Sequence, residues 1–318
     1  MANQTTMTGF LLLGFSDIRE LQILHIIVFL VLYFISLLGN LLIITAIALN
    51  RHLHKPMYFF LINLSILDFG YISVTNPKSM VNSLMNTTLI SYYGCVAKVF
   101  FFLFFASANF AILTIMVYNR YVAICQPLHY EVVMNRRACV QIAASAWISG
   151  ILYSALHTGK TFAISFCGGN MVDQFFCEIP QLLHLACSDS YLGEIVLISL
   201  SVLLCLSCFA FITVSYVQIF KTMLRIPSEQ GRHKAFSTCL LHLIVVSLFL
   251  FNGLFSFLKP TSNSASDLNL LVAVFYSIMP PVMNPFIYSM RNKEMKSALS
   301  KLISWRLFRK NKMSIFLH

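Results

Sequence analysis

Seven stretches of this 318-residue chain run with hardly a charge in them, at residues 23–49, 57–80, 94–121, 138–159, 193–220, 235–258 and 268–290. A helix that crosses a bilayer needs roughly 20 mostly apolar residues, because nothing in the hydrocarbon can bond to an open backbone. One such run could be a buried helix of a soluble protein. Seven, joined by short polar links, exclude that. Only 10% of the residues are charged, against about 25% in a soluble domain, so a water-soluble globule could not cover this much apolar surface. The expected fold class is an all-α membrane protein: one seven-transmembrane helix bundle over 23–290, with an N-terminal segment 1–22 and a tail 291–318.

Lysine and arginine orient such a bundle, since they concentrate on the cytoplasmic side. Seventeen of the 22 fall on one side, eight of them after residue 290, and five on the other. The rich side holds three acids and the poor side seven, with Asp68 inside a span. The N-terminus is therefore expected outside and the tail inside. The net charge of +11 reads as topogenic and lipid-directed, with no nucleic-acid partner. No cleavable signal peptide is evident, so the first span is expected to serve as its own insertion signal. Asn3-Gln4-Thr5 is a glycosylation sequon on the outer side, and Asn86-Thr87-Thr88 is a second candidate. Asn63-Leu64-Ser65 fits the pattern but lies within a span.

Of nine cysteines, Cys95, Cys167, Cys177 and Cys187 fall at the outer ends of spans or between them, where an oxidising compartment makes them disulfide candidates. Four cysteines allow three pairings, and spacing alone does not choose. Cys205-Leu-Ser-Cys208 and His184-Leu-Ala-Cys187 have metal-like spacing. The first sits in an apolar helix and the second includes a disulfide candidate, so no metal is expected, and no cofactor.

Polar groups inside a span are costly and mark function. Asp68 in "LSILDFG", Asn40 in "LLGNLL" and Asn284 in "MNPFIY" are such groups, and Pro285 removes a backbone hydrogen bond and invites a kink. Arg120 ends a run, 99–118, that holds no Asp, Glu, Lys or Arg, and its preceding neighbour is the neutral Asn119.

These residues lie in a longer ordered series: "GN" at 39–40, "LHKPMYFFLINLSILD" at 53–68, "MVYNRYVAICQPLHY" at 116–130, "SY" at 215–216, "KAFSTCLLHL" at 234–243 and "PPVMNPFIYSMRNKE" at 280–294. In order and on the right spans, they resemble the olfactory (odorant) receptors, a branch of the rhodopsin-like G-protein-coupled receptors. The resemblance covers the chain end to end. The long outer loop between the fourth and fifth spans, with three cysteines, is similar too.

The resemblance implies a receptor, not an enzyme, in the plasma membrane. It would bind a small-molecule odorant and activate a stimulatory olfactory G protein that raises cAMP. It places Arg120 at the cytoplasmic end of the third span to meet that G protein, with Asn119, Tyr121, Tyr216, His242, Asn284, Pro285 and Tyr288 as the switch around it. It pairs Cys95 with Cys177 and Cys167 with Cys187, and it makes the basic stretch after Met290 a short amphipathic helix on the inner membrane surface. Two positions depart from the family. Asn119 stands where Asp is usual, and Asn109 where an acid is usual. The second change removes one of the two carboxylates that, with the counterpart of Asp68, hold sodium in the family.

The resemblance also puts the ligand in the outer half between the third, fifth, sixth and seventh spans. Candidate walls are Phe102, Leu103, Ala106, Ser107, Phe110, Leu200, Leu250, Gly253, Leu254, Phe257 and Ser277, an apolar set with few hydroxyls that suits a hydrophobic volatile. Phe102, Ala106 and Phe110 share one helix face. Lys98, a turn in from Cys95, is expected to snorkel its amine to the outer interface, or else to attract anionic ligands. An aminergic receptor would have Asp at Phe102, and an opsin would have Lys in the last span. A transporter would show internal repeats and several buried ionisable groups, and an enzyme a convergent acid, base and nucleophile. None is present in the sequence.

Overall fold

The computed structural model describes residues 9–12, 19–85, 89–164, 166, 171–172, 177, 179–185, 192–225, 229, 232, 236, 239–240, 242–250, 279, 281–285, 287 and 294–302. Helices α1 (Arg19–Leu49), α2 (Pro56–Met85), α3 (Tyr92–Cys125), α4 (Tyr130–Val133), α5 (Arg136–Phe162), α6 (Ile179–His184) and α7 (Leu192–Leu224) follow one another. Residues 242–250, 281–285 and 294–302 are also helical. Among the described residues, five helices are long and apolar enough to cross a membrane, in α1, α2, α3, α5 and α7. Half of the sixth stretch, 235–258, and most of the seventh, 268–290, lie outside the described residues.

The helices start and stop where local chemistry directs. Ser91 accepts from Gly94 N to cap α3, and Asn135 accepts from Ala138 N at 2.9 Å to cap α5. α3 ends at Cys125 because Pro127 disfavours helical backbone at Gln126. It therefore carries Arg120 more than a turn inside its C-terminus. The helix thus runs past residue 121, where the apolar stretch ends, because one charged residue does not break a helix.

Helix faces are set by size more than by hydrophobicity. The buried stripe of α5 is Cys139, Ala143, Ala146, Gly150, Ser154, His157 and Thr161, at the three- and four-residue steps of one helix face. A Cβ on Gly150 would meet Ala108 Cβ at 3.2 Å and Phe104 O at 3.3 Å, so glycine is what lets α5 lie on α3. On α7 the inward positions are Ser201, Cys205, Cys208, Ile212, Ser215, Ile219 and Met223, while Leu203, Leu204, Phe209 and Val214 face out. In its first half α7 turns the small Ser201, Cys205 and Cys208 inward and large apolar residues outward, which is the membrane pattern, since lipid gives no hydrophobic reason to bury leucine; from Ile212 on it packs large apolar side chains inward as well. The main core joins α2, α3, α5, α7 and residues 242–250, with Leu67, Ile112, Val117, Ile219 and Val246 nearly inaccessible.

One outer feature departs from an all-α fold. Strand β1 (Gly9–Leu12) lies between β2 (Leu89–Ser91), antiparallel to it, and β3 (Met171–Val172), parallel to it. Phe10 is fully buried, packed on Tyr92 and edge-on to Phe166. Cys95 and Cys177 are joined in a disulfide beneath this sheet. Among the described residues Cys125, Cys139, Cys205, Cys208 and Cys239 are free thiols.

At the opposite end, Glu294 takes two bonds from Lys55 Nζ, at 3.0 and 3.1 Å, and one from Tyr58 Oη at 2.9 Å. That pins residues 294–302 to the start of α2, with Met295, Ala298 and Leu302 on their buried face.

A proline joins α1 to residues 281–285. Pro285 has no N–H, so the carbonyl of Pro281, four residues earlier, loses its helical partner. Ser36 Oγ donates to that carbonyl at 2.9 Å and Asn40 Nδ2 at 3.1 Å. Gly39 lies between them, and a Cβ there would sit 2.8 Å from Pro285 Cβ. Gly39→Val is therefore expected to push α1 off this contact and cost about 1–3 kcal/mol. The measurement is thermal melting of purified protein with surface expression alongside, and an unchanged melting temperature would contradict the packing.

Candidate functional site

The polar residues singled out in the sequence form two buried layers. The middle layer centres on Asp68 of α2, which is 1% exposed. Asn284 Nδ2 donates to its Oδ2 at 2.8 Å, and the side chain of Asn109 on α3 is the second amide at this carboxylate. Asn40 and Ser36, one step away through Pro281 and the short helix that carries Asn284, extend the layer to α1. Asp68 is the one acid of this layer among the described residues, and the amide oxygens Asn40 Oδ1, Asn109 Oδ1 and Asn284 Oδ1 are buried there without a hydrogen-bond partner. Among the described residues no group of three or more His, Cys, Asp and Glu could hold a metal ion.

The inner layer centres on Arg120, which is 7% exposed. Among the described residues it forms no ion pair, and its Nε has no hydrogen-bond partner. The side chain of Cys239 lies beside the guanidinium, and Tyr216 and His242 lie within its electrostatic reach. Tyr216 Oη and His242 Nδ1 are 2.6 Å apart, which ties α7 to residues 242–250 next to the charge. Asn119, 2% exposed, does not hold the arginine; its Oδ1 accepts from Tyr130 Oη at 3.1 Å. Burial pushes the Tyr130 hydroxyl above its ordinary range, so it stays protonated and remains a donor. Asn119 thus anchors α4 to α3 and leaves Arg120 without an opposing charge. Tyr121 is half-buried and packs against the main core.

The outer-half wall residues divide. Phe102 packs on Tyr71 of α2 with centroids 5.4 Å apart, and Phe110 stacks on Phe249 at 6.1 Å. Leu103 packs against the outer cluster under the disulfide. Ala106 is half-buried, and Leu250 is 8% exposed in the main core. Ser107 Oγ donates to Leu103 O at 2.7 Å, so its hydrogen is used within its own helix. Leu200 is corrected: it is 56% exposed, while its neighbour Ser201 points inward and bonds His157 Nε2 at 3.0 Å. A helix that is apolar on every side offers no period by which to choose between the two. Lys98 is corrected as well. It is 7% exposed, so its amine does not snorkel into solvent. Gly253, Leu254, Phe257, Ser277, Tyr288, Cys167, Cys187 and the sequon at Asn3 lie outside the described residues.

The sequence reading missed Ser36 and Tyr130, whose importance depends on partners far away in the chain. It also set Asn63 aside as a false sequon. In the fold Asn63 Oδ1 accepts from Trp147 Nε1 at 3.1 Å and joins α2 to α5.

Comparison with known proteins identifies the family. A family model described as olfactory receptor matches residues 29–306. The chain is 50% identical to human olfactory receptor 14J1 over 99% of its own length and 98% of the relative's. It is 51% identical to human olfactory receptor 14A16, over 98% of this chain and all of that one. It is 52% identical to human olfactory receptor 14I1, over 97% of each. With a multi-pass apolar helix bundle and a buried arginine toward the C-terminal end of α3, the chain belongs to the olfactory receptor family, whose members are membrane receptors and not enzymes.

Proposed function

We propose that this protein is an odorant receptor of the plasma membrane that binds small hydrophobic molecules and activates a stimulatory olfactory G protein, raising cAMP. Seven spans put the N-terminus outside with sugar on Asn3, and the basic stretch after Met290 forms a short helix along the inner membrane surface. The ligand sits in the outer half, against Phe102, Leu103, Ala106, Ser107, Phe110 and Leu250, with Gly253, Leu254, Phe257 and Ser277 completing the wall.

The observation that carries this reading is Arg120. A guanidinium with no opposing carboxylate is costly in a bundle core. Here it stays near the cytoplasmic end of α3, beside a tyrosine–histidine contact that links two other helices. Outward movement of residues 239–250 would part Tyr216 from His242 and open Arg120 to a partner in the cytoplasm. Ligand contacts in the outer half, through Phe110 and Phe249, bias the same helices. This is a two-state element that both sites can act on. The direct test is a panel of odorants applied to cells carrying a cAMP reporter. A panel-wide absence of response at normal surface expression would reject the reading.

Asn119 sets a second expectation. A hydrogen bond to a charged group is worth about 1.5–3 kcal/mol, and a neutral one about 0.5–1.5. An acid at 119 would hold Arg120 in the resting state, whereas the amide is engaged with Tyr130. The resting state is then weaker by about 1 kcal/mol, or roughly fivefold in population. Asn119→Asp should lower ligand-free cAMP about fivefold at matched surface expression and preserve the rank order of odorants. Unchanged or higher basal cAMP refutes this.

Topology has its own check. Asn3→Gln should remove one glycosidase-sensitive step in mass, and a protease-protected N-terminus in right-side-out cells would overturn the orientation.

A further inference from the structure

The inward stripe of α5 changes chemistry at Ser154. Toward the cytoplasm it is cysteine, alanine and glycine packed on α3. Toward the outside it is Ser154, His157, Thr158 and Thr161, every one of them buried, at one-face spacing. Ser154 Oγ is used by Ile151 O at 3.0 Å. Ser201 Oγ gives its hydrogen to Leu197 O at 2.8 Å, so in the 3.0 Å contact with His157 Nε2 the imidazole is the donor.

The two threonines are different. Thr158 is 6% exposed and Thr161 fully buried, yet neither Oγ1 has a hydrogen-bond partner among the described residues. Other helical threonines here do not behave this way. Thr45, Thr75, Thr114 and Thr213 each donate to the carbonyl four residues earlier, at 2.7 to 3.1 Å. Two buried hydroxyls that decline this local bond, a turn apart on one face, carry a desolvation cost that a ligand could offset. Phe162, next to Thr161, packs in the same outer cluster as Leu103 of the candidate ligand wall. That wall has no spare hydroxyl among the described residues, since Ser107 Oγ is taken by Leu103 O. Ligand pockets are mostly apolar with a few placed polar groups that orient the ligand.

We propose that Thr158 and Thr161 form a polar subsite on α5 that hydrogen-bonds the oxygen head group of a small, otherwise apolar molecule, an alcohol or an aldehyde. The subsite rests on the odorant-receptor reading above and extends it by naming the ligand's chemistry and a helix outside the sequence-derived wall. Each threonine hydroxyl donates to a carbonyl or hydroxyl oxygen, and each also accepts from an alcohol.

The test uses the purified full chain in lipid nanodiscs, with straight-chain alcohols from butanol to decanol, the matching aldehydes and the matching alkanes. Binding is read as ligand-dependent thermal stabilisation. Alcohols or aldehydes should stabilise the protein where the alkane of equal length does not. The double variant Thr158→Val with Thr161→Val should weaken that binding about tenfold with ligand-free melting unchanged or raised, because no existing bond is lost. Thr158→Ser with Thr161→Ser should retain it. Equal binding of alkanes, no binding of any oxygenated probe, or an alcohol preference that survives in the valine variant overturns the proposal. A fall in ligand-free melting in the valine variant also overturns it, since the hydroxyls would then be structural. Oxygen-dependent binding without a cAMP rise in cells would keep the subsite and reject the signalling reading. A cAMP response to other odorants without oxygen preference here would do the reverse.

Discussion

The carbonyl of Pro281 is the point on which the bundle's polar interior depends. Pro285 cannot bond it, and hydrocarbon offers no substitute. Ser36 and Asn40 supply two donors across the helix boundary, and Gly39 gives the backbone clearance for them to reach. The same short helix then presents Asn284 to Asp68 at 2.8 Å. One missing N–H thus places α1, α2 and residues 281–285 in a fixed relation, and Asn109 brings α3 to the same carboxylate. Packing between apolar helices in lipid is weakly directional, so such hydrogen bonds, and the small residues that permit them, determine which faces meet.

Arg120 follows a different logic. The layer above it gathers neutral amides around one acid, with amide nitrogens turned to the carboxylate, whereas the arginine is buried with no acid against it among the described residues. Its surroundings are a thiol, a tyrosine and a histidine contributed by α7 and residues 239–250. Those groups can move away without breaking an ion pair. Asn119 takes part in holding α4 through Tyr130. Substituting an amide for an acid therefore changes which element the neighbour of Arg120 secures, as well as removing a charge.

The end of the bundle that carries β1 is built more like a soluble domain. Strand β1 is inserted between two others, Phe10 is fully buried, and a disulfide joins α3 to the loop before α6. Water reaches this end, so β pairing and aromatic burial are worth as much here as in any globular protein. The polar turns of α5 lie just below, where the helix faces protein and not lipid.

Much of this was legible in the residues. Length and lack of charge located five long apolar helices within a few residues of their ends, and the ordered motifs identified the family and the Cys95–Cys177 pair. Helix ends missed by a few residues because caps and Pro127, not charges, set them. What the residues did not reveal was direction around each helix axis. On α7 nearly every side is apolar, so Leu200 and Ser201 are equally good inward choices until α5 is in place to offer His157. In the same way, Asn63 became a partner of Trp147, Lys98 was buried, and β1 formed in a segment with no marked strand pattern. The sequence by itself determined which segments enter the membrane and which family they belong to, because that depends on transfer from water, which each segment undergoes alone. Only the tertiary structure decided which side chains meet, because in a medium as apolar as leucine a helix face has no preferred direction until another helix supplies a hydrogen-bond partner or a gap of the right size.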